Sequence, residues 1–367
     1  MRDATLVQTQ AEIDLAVFRM RGATRLALDT EFMRERTYYP LLCLVQVATD
    51  NDCFLIDPLA PLDASELYGL LADRSKLKIL HAARQDLEVL YQVSGNIPGP
   101  LFDTQLAAAM LGYPAQIGYA DLVASELGHS IDKGQTRTDW SRRPLTPAQL
   151  AYAADDVHHL LTLNDSLASR LQSAGRTDWL AEDAASFDSS GLYETHQEDA
   201  WRRIKGFPRL TAQQQAVARA LAGWREQRAI DADKPRAWIL SDAALISLAV
   251  ALPRSQAELE QLESLPPGLV RKRGRTLLEL LDSVRSSATG AAAVEPRGRP
   301  TPEESRRITQ LMKLVRERAA DEGIAPEILA TRRDVESLAR GSGDSALLKG
   351  WRHAVIGREL ESTLAQR

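Results

Sequence analysis

The sequence predicts a multidomain protein: an N-terminal α/β domain on a mixed sheet, followed by two all-α helical bundles. Three observations carry this. The first half alternates strand-like and helix-like segments, whereas from about residue 201 every periodic segment is helical. At 367 residues the chain exceeds one ordinary domain. Charge divides at the same place: residues 1–200 carry 16 Lys+Arg against 29 Asp+Glu, and residues 201–367 carry 29 against 21. An acidic half suits cations and a basic half suits a polyanion.

In the first half, RLALDTEF, LCLVQVAT and CFLIDP read as strands, and their close spacing predicts an antiparallel meander. ASELYGLLAD reads as a helix, LKILHAA as a strand and RQDLEVLYQV as a helix. LFDTQLAAAML opens as a short strand and turns helical, and YADLVASELG is a helix closing at Gly128. Residues 146–175 read as one long helix. Thr146 is its N-cap, Pro147 fits the first helical position, Gln149 completes a capping box, and Gly175 marks the end. Leu150, Val157, Leu160, Leu161, Leu167 and Leu171 form its apolar stripe.

In the second half, Thr211 and Gln214 form another capping box, opening AQQQAVARALAGWREQRA. SDAALISLAVAL, SQAELEQLE and GRTLLELLDSV follow as helices. SSATGAAAVEPRGRP is a linker without periodicity, and Thr301, Pro302 and Glu304 start a last helical group. The boundaries expected are therefore 1–195 for the α/β domain, 196–289 for the first bundle, 290–300 for the linker and 301–367 for the second bundle.

Composition narrows the class. No apolar run has the length to cross a membrane, and the start MRDATLVQTQAEID lacks the apolar core of a secretory signal. Cys43 and Cys53 sit in apolar strand-like runs and read as buried thiols of a reducing compartment, so a cytoplasmic protein is expected.

The chemistry concentrates in a few acids. Asp29 and Glu31 are two apart on a strand, so they point the same way from the end of an apolar run. Such a pair needs a cation or a shared proton, or else it is a solvated strand end. Asp86 comes early in the helix after a strand. Tyr152 and Asp156, four apart, share a helix face, and Asp156 lies nearer the apolar edge than Asp155.

Together these motifs resemble the DEDD superfamily of 3′–5′ exonucleases. DTEF matches the first motif, HAARQDL the second, and Tyr152-x-x-x-Asp156 the third. The tyrosine places the chain in the DEDDy branch, since the position a histidine would occupy in the other branch is Ala151. TYYPLLCLVQVA, LFDTQLAAAML and DWSRRPLTPAQLAYAADDV resemble ribonuclease D, and RAWILSDAALISLA is similar to the HRDC modules (helicase and RNase D C-terminal) that such enzymes carry.

The resemblance implies a ribonuclease H-like mixed sheet followed by two HRDC-type bundles. It implies hydrolysis from RNA 3′ ends with release of nucleoside 5′-monophosphates, in 3′ maturation of tRNA precursors and other small stable RNAs. Two divalent ions, Mg²⁺ or Mn²⁺, held by Asp29, Glu31, Asp86 and Asp156 would serve that reaction, and Tyr152 would orient the attacking water. With a free pKa of about 10, its phenol is a better positioning group than a strong base. A related 3′–5′ exodeoxyribonuclease and a catalytically idle RNA-binding protein are the alternatives. His81 reads as structural or as a supporting donor, and Gln46 is open in the same way. Arg142 and Arg143, Arg202 and Arg203, and Arg271, Lys272, Arg273 and Arg275 are the basic residues that could track phosphates. A monomer is expected.

Overall fold

A computed structural model describes residues 4–131, 134–135, 138–287, 300–341 and 345–365. The described residues fall into two compact units. One comprises residues 1–33, 41–193 and 300–367; the other comprises 34–40 and 194–299.

The first unit opens with strand β1 (Thr5–Val7) and helix α1 (Gln10–Arg21). The expected meander follows as β2 (Arg25–Met33), β3 (Leu41–Ala48) and β4 (Cys53–Ile56). Both of its pairings are antiparallel. Next come α2 (Ser65–Ala72), β5 (Leu77–Leu80), α3 (Arg84–Ser94), β6 (Leu101–Asp103), α4 (Thr104–Ala109) and α5 (Tyr119–Leu127). The sheet has the order β1-β4-β3-β2-β5-β6 and is mixed: β1, β5 and β6 join it in parallel. β3 is buried along nearly its whole length, as a strand covered on both faces must be. Cys43 and Cys53 are buried free thiols.

The stretch 146–175 corrects the sequence reading. It is two helices, α6 (Pro147–His158) and α7 (Leu160–Ser173), broken at His159. The Tyr119 hydroxyl is the cause. It accepts the His159 amide at 3.2 Å and donates to the Asp155 carbonyl at 3.0 Å. These are the two groups that an unbroken helix would pair with each other, and a side chain inserted there breaks the ladder. The capping box on Thr146 stands as read, and Gly175 follows α7 with a left-handed φ of 68°.

After α8 (Thr177–Ala185), the second unit contains α9 (Ala212–Asp231), α10 (Arg236–Ile239), α11 (Asp242–Ala251), α12 (Gln256–Glu260) and α13 (Pro267–Ser286). One apolar core joins α9, α11, α12 and α13, including Phe207, Leu221, Leu245 and Leu277. The basic run 271–275 was expected beside a helix start; it lies inside α13, which begins earlier at Pro267. Gly274 does not break this helix. A Cβ there would come within 2.4 Å of the Gln256 side-chain amide of α12, so the glycine leaves room for that side chain. Residues 34–40, between β2 and β3, belong to this unit: Tyr38 bonds to the fully buried Glu226, which also pairs with Arg236 at 2.6 Å.

Residues 290–299 of the expected linker lie outside the described residues. Beyond them come α14 (Pro302–Glu322), α15 (Pro326–Leu329), α16 (Arg332–Ala339), α17 (Gly350–Arg352) and α18 (Arg358–Ala365). These pack in one core with helices of the N-terminal domain. Trp351 stacks on Trp179 at 4.4 Å, and the Ala325 amide bonds to the Ala109 carbonyl at 2.9 Å.

Candidate active site

β2 outruns its parallel neighbour. Its pairing with β5 ends at Ala27↔Ile79, so Asp29 and Glu31 lie beyond it, at the carboxyl end of the parallel pair. That is where open α/β sheets meet their ligands. A register irregularity follows directly after Glu31. Such a bulge re-aims the strand at the end of the acidic pair.

α3 begins just past β5 through a tight turn. Ala82 has a φ of 57°, a conformation that L residues adopt at a cost. Asp103 holds this turn by accepting the Ala82 and Ala83 amides at 3.2 and 2.9 Å. His81 is locked beside it: Nε2 donates to the Ile117 carbonyl and Nδ1 meets the Thr104 hydroxyl, both at 2.9 Å. The histidine is thus a scaffold for the turn that delivers Asp86. Asp86 is buried, and the Thr30 hydroxyl donates to it at 2.5 Å.

α6 packs on β2, β3 and β4 and brings in the last acid. Tyr152 lies against the cluster of Leu44, Leu55, Trp140 and Ala153, its ring 6.0 Å from that of Trp140. Its hydroxyl hydrogen-bonds to Asp156, as the four-residue spacing allows.

Asp29, Glu31 and Asp156 each offer a carboxylate oxygen within 4.8 Å of the others. Asp86 stands outside this trio, tied to Thr30, yet its charge is felt by all three. Burial raises every carboxyl, and repulsion by other acids adds to it. Asp29 is well above the usual range, from burial first and then from Asp86, Asp156 and Glu31. Glu31 is pushed up to about 9 by burial and by Asp156 and Asp86. Asp86 reaches about 6, burial outweighing the Thr30 hydrogen bond. Asp156 reaches about 7 through burial and neighbouring acids, against the pull of the Tyr152 hydroxyl. An oxygen-only donor set of this charge fits hard cations such as Mg²⁺ or Mn²⁺.

The basic candidates separate. Arg143 is committed elsewhere: its guanidinium clamps Asp57 at 2.6 and 2.7 Å and also donates to the carbonyls of Cys43, Trp140 and Arg142. Sequence spacing gave no sign of Asp57 as a partner. Arg142 is exposed and bonds to Asp139 at 3.1 Å. Arg202 bonds to Asp199 at 2.5 Å, and Arg203 lies 3.9 Å from Glu226. On α13, Arg271 and Arg275 share one face, and Arg275 pairs with Glu279 at 2.8 Å. Lys272 and Arg273 share another face with Leu269. They line a cavity of about 260 Å³ in the second unit, together with Trp224, Trp238 and Arg228.

A mixed sheet with clustered carboxylates at its strand ends, and a separate helical unit, define an exonuclease with an appended helical domain. The 3′-5′ exonuclease family model matches residues 4–172, and the HRDC domain model matches residues 214–281. The chain belongs to the ribonuclease D family of 3′–5′ exoribonucleases. It is 38% identical to ribonuclease D of Gluconacetobacter diazotrophicus, over 97% of this chain and 92% of that protein. It is 39% identical to ribonuclease D of Pseudomonas paraeruginosa, over 99% and 96%. The crystal structure of Escherichia coli RNase D, an exoribonuclease involved in structured RNA processing, superposes with a TM-score of 0.90 at 31% identity, covering 99% of each chain.

Proposed function

We propose that Asp29, Glu31, Asp86 and Asp156 hold two divalent cations, Mg²⁺ or Mn²⁺, and that the chain removes nucleoside 5′-monophosphates from RNA 3′ ends. The observation that carries this reading is the convergence of Asp29, Glu31 and Asp156 within 4.8 Å. Bound cations would supply activation of water and neutralisation of the leaving oxygen. The chain's own residues do the placing. Asp29 and Glu31 form one wall from β2, and Asp156 forms another from α6. Asp86, fixed by Thr30, completes the negative field. Tyr152 is placed by its apolar cluster to orient the attacking water beside Asp156.

The substrate we infer is the 3′ tail of tRNA precursors and other small stable RNAs, acted on in the cytoplasm by a monomer. No helix among the described residues is long and apolar enough to cross a membrane. The proposed domains are 1–195, 196–289 and 301–367, with a linker over 290–300. Residues 301–367 are read as a second HRDC-like bundle, supported by their helical content and a capping box on Thr301 like that on Thr211. Of the basic residues, Lys272 and Arg273 are the preferred phosphate contacts. Among the described residues neither makes an ion pair, and Trp238 stands exposed in the cavity they line. Arg142, Arg202, Arg203, Arg271 and Arg275 are secondary, and Arg143 drops out.

The test is incubation with 5′-end-labelled RNA and DNA in Mg²⁺ or Mn²⁺, then with EDTA. Stepwise shortening of the labelled RNA from its 3′ end, abolished by EDTA and by Asp29→Asn, is expected. Failure to shorten any RNA bearing a 3′-hydroxyl in either metal refutes the reading, and preferential attack on DNA reassigns the substrate.

A further inference from the structure

Gln46 is the only polar side chain of β3, and it has no accessible surface. Neither its Nε2 nor its Oε1 has a hydrogen-bond partner. An amide buried in that state is costly, and proteins retain one where a partner arrives. Its neighbours say which partner. In the β2–β3 register Gln46 stands opposite Asp29, so the two side chains leave the same face of the sheet, within reach of each other. On its other flank the paired residue is Leu55 of β4, and α6 covers this face with Ala153 beside Leu44 and Leu55. The flanking residues so placed are apolar, and the polar group across the register is the Asp29 carboxylate.

We propose that Gln46 is a positioning residue for Asp29: its Nε2 donates to the Asp29 carboxylate oxygen turned away from a bound cation. This rests on the reading of the acids as a metal site. A carboxylate that gives one oxygen to a cation needs a donor on the other to fix its plane, and such supports set metal affinity. A carboxamide suits the place because it is neutral. A lysine or arginine would occupy the negative field that the cation needs, whereas an amide donates without competing. Gln46 and Asp29 are not hydrogen-bonded to each other in this structure, so the contact forms when Asp29 turns toward a cation.

The test compares the wild type with Gln46→Met, which keeps length and loses hydrogen bonding, and with Gln46→Leu as a second apolar variant. Mn²⁺ binding to the full chain is measured by calorimetry without RNA, alongside thermal unfolding in EDTA. The expected result is Mn²⁺ affinity weakened about tenfold, with unchanged or raised melting temperature in EDTA. In turnover, the Mn²⁺ concentration for half-maximal rate should rise by a similar factor, while kcat at saturating Mn²⁺ largely recovers. Unchanged Mn²⁺ affinity in whichever variant folds overturns the proposal and leaves the metal site standing. A wild type that binds no Mn²⁺ overturns both. Destabilisation in EDTA without a change in Mn²⁺ affinity assigns the amide a packing role only and also overturns it.

Discussion

The Tyr119 hydroxyl takes the place of a helical hydrogen bond, accepting from the His159 amide and donating to the Asp155 carbonyl. One phenol therefore satisfies both groups at the break between α6 and α7. Tyr119→Phe should cost about 1–3 kcal/mol, the penalty of leaving those groups unpaired. Chemical denaturation of the full chain at neutral pH would read this as a lower midpoint. An unchanged midpoint would mean that the helix closes the ladder by itself.

Arg143 and Asp57 form a pair that is structural despite its surface-like sequence context. The Asp57 side chain is 2% exposed and that of Arg143 23%. Burial raises the Asp57 carboxyl, and Arg143 with Gln8 outweighs it, leaving it below the usual range. Arg143→Ala strands a buried charge and should cost about 3 kcal/mol. Arg142→Ala, whose side chain is 83% exposed, should leave stability unchanged. Melting temperatures of the two variants side by side check this. Equal, small effects would return Arg143 to the phosphate candidates.

What the sequence made legible was local. The acids of DTEF announce themselves through strand alternation, and Tyr152 with Asp156 through helical spacing. The boxes on Thr146, Thr211 and Thr301 each form as read, because capping uses residues three apart. What escaped depends on residues far apart in the chain. Thr30 meets Asp86 across 56 positions, and Arg143 meets Asp57 across 86. The wedge by Tyr119 lies 40 positions from His159, in a segment whose own pattern says only helix. The run RKRGR misled for a different reason. Gly274 reads as the start of a helix, but the helix runs through it from Pro267, with the Gln256 side chain in the space of its missing Cβ, and so divides the basic residues between two faces.

The carboxyl cluster makes metal-free stability depend on pH with a defined sign. Folded Asp86, Asp156 and Glu31 hold protons up to about 6, 7 and 9, whereas the unfolded groups lose theirs near 4. Unfolding therefore releases protons, and the cluster's contribution to stability is lost as pH rises from about 4 toward 9. Asp29→Asn removes one repelling charge. In EDTA it should match the wild type near pH 4 and exceed it at pH 8 by about 1–2 kcal/mol or more. Mn²⁺ should raise the wild-type melting temperature at pH 8 and move the variant little. A variant less stable than the wild type at pH 8 in EDTA would contradict the repulsion.

Lys272 and Arg273 carry the proposed phosphate contacts. Neutralising both as Lys272→Gln and Arg273→Gln should lower RNA affinity across sequences and reduce the salt slope of log affinity by about 2. Anisotropy titrations of labelled single-stranded RNA in EDTA, at several salt concentrations, measure this. Arg275→Gln is the control, since Arg275 is paired with Glu279 on another face. Equal slopes for the double variant and the wild type would remove the cavity from the RNA path.

Beyond the water-orienting role proposed for it, Tyr152 acts on Asp156. Its hydroxyl donates to the Asp156 carboxylate and so favours the charged form against burial. Tyr152→Phe keeps the ring against Trp140 and removes only that donation. Asp156 then holds its proton to higher pH, so protons compete more strongly with the cation. The acid limb of the kcat–pH profile should move upward, and its plateau should fall about 100-fold through loss of water alignment. Mn²⁺ binding at pH 8.5 or so should survive, because all four carboxyls remain and Asp156 is charged there. A profile that keeps both its plateau and its midpoint would show that the hydroxyl neither orients the water nor tunes the acid.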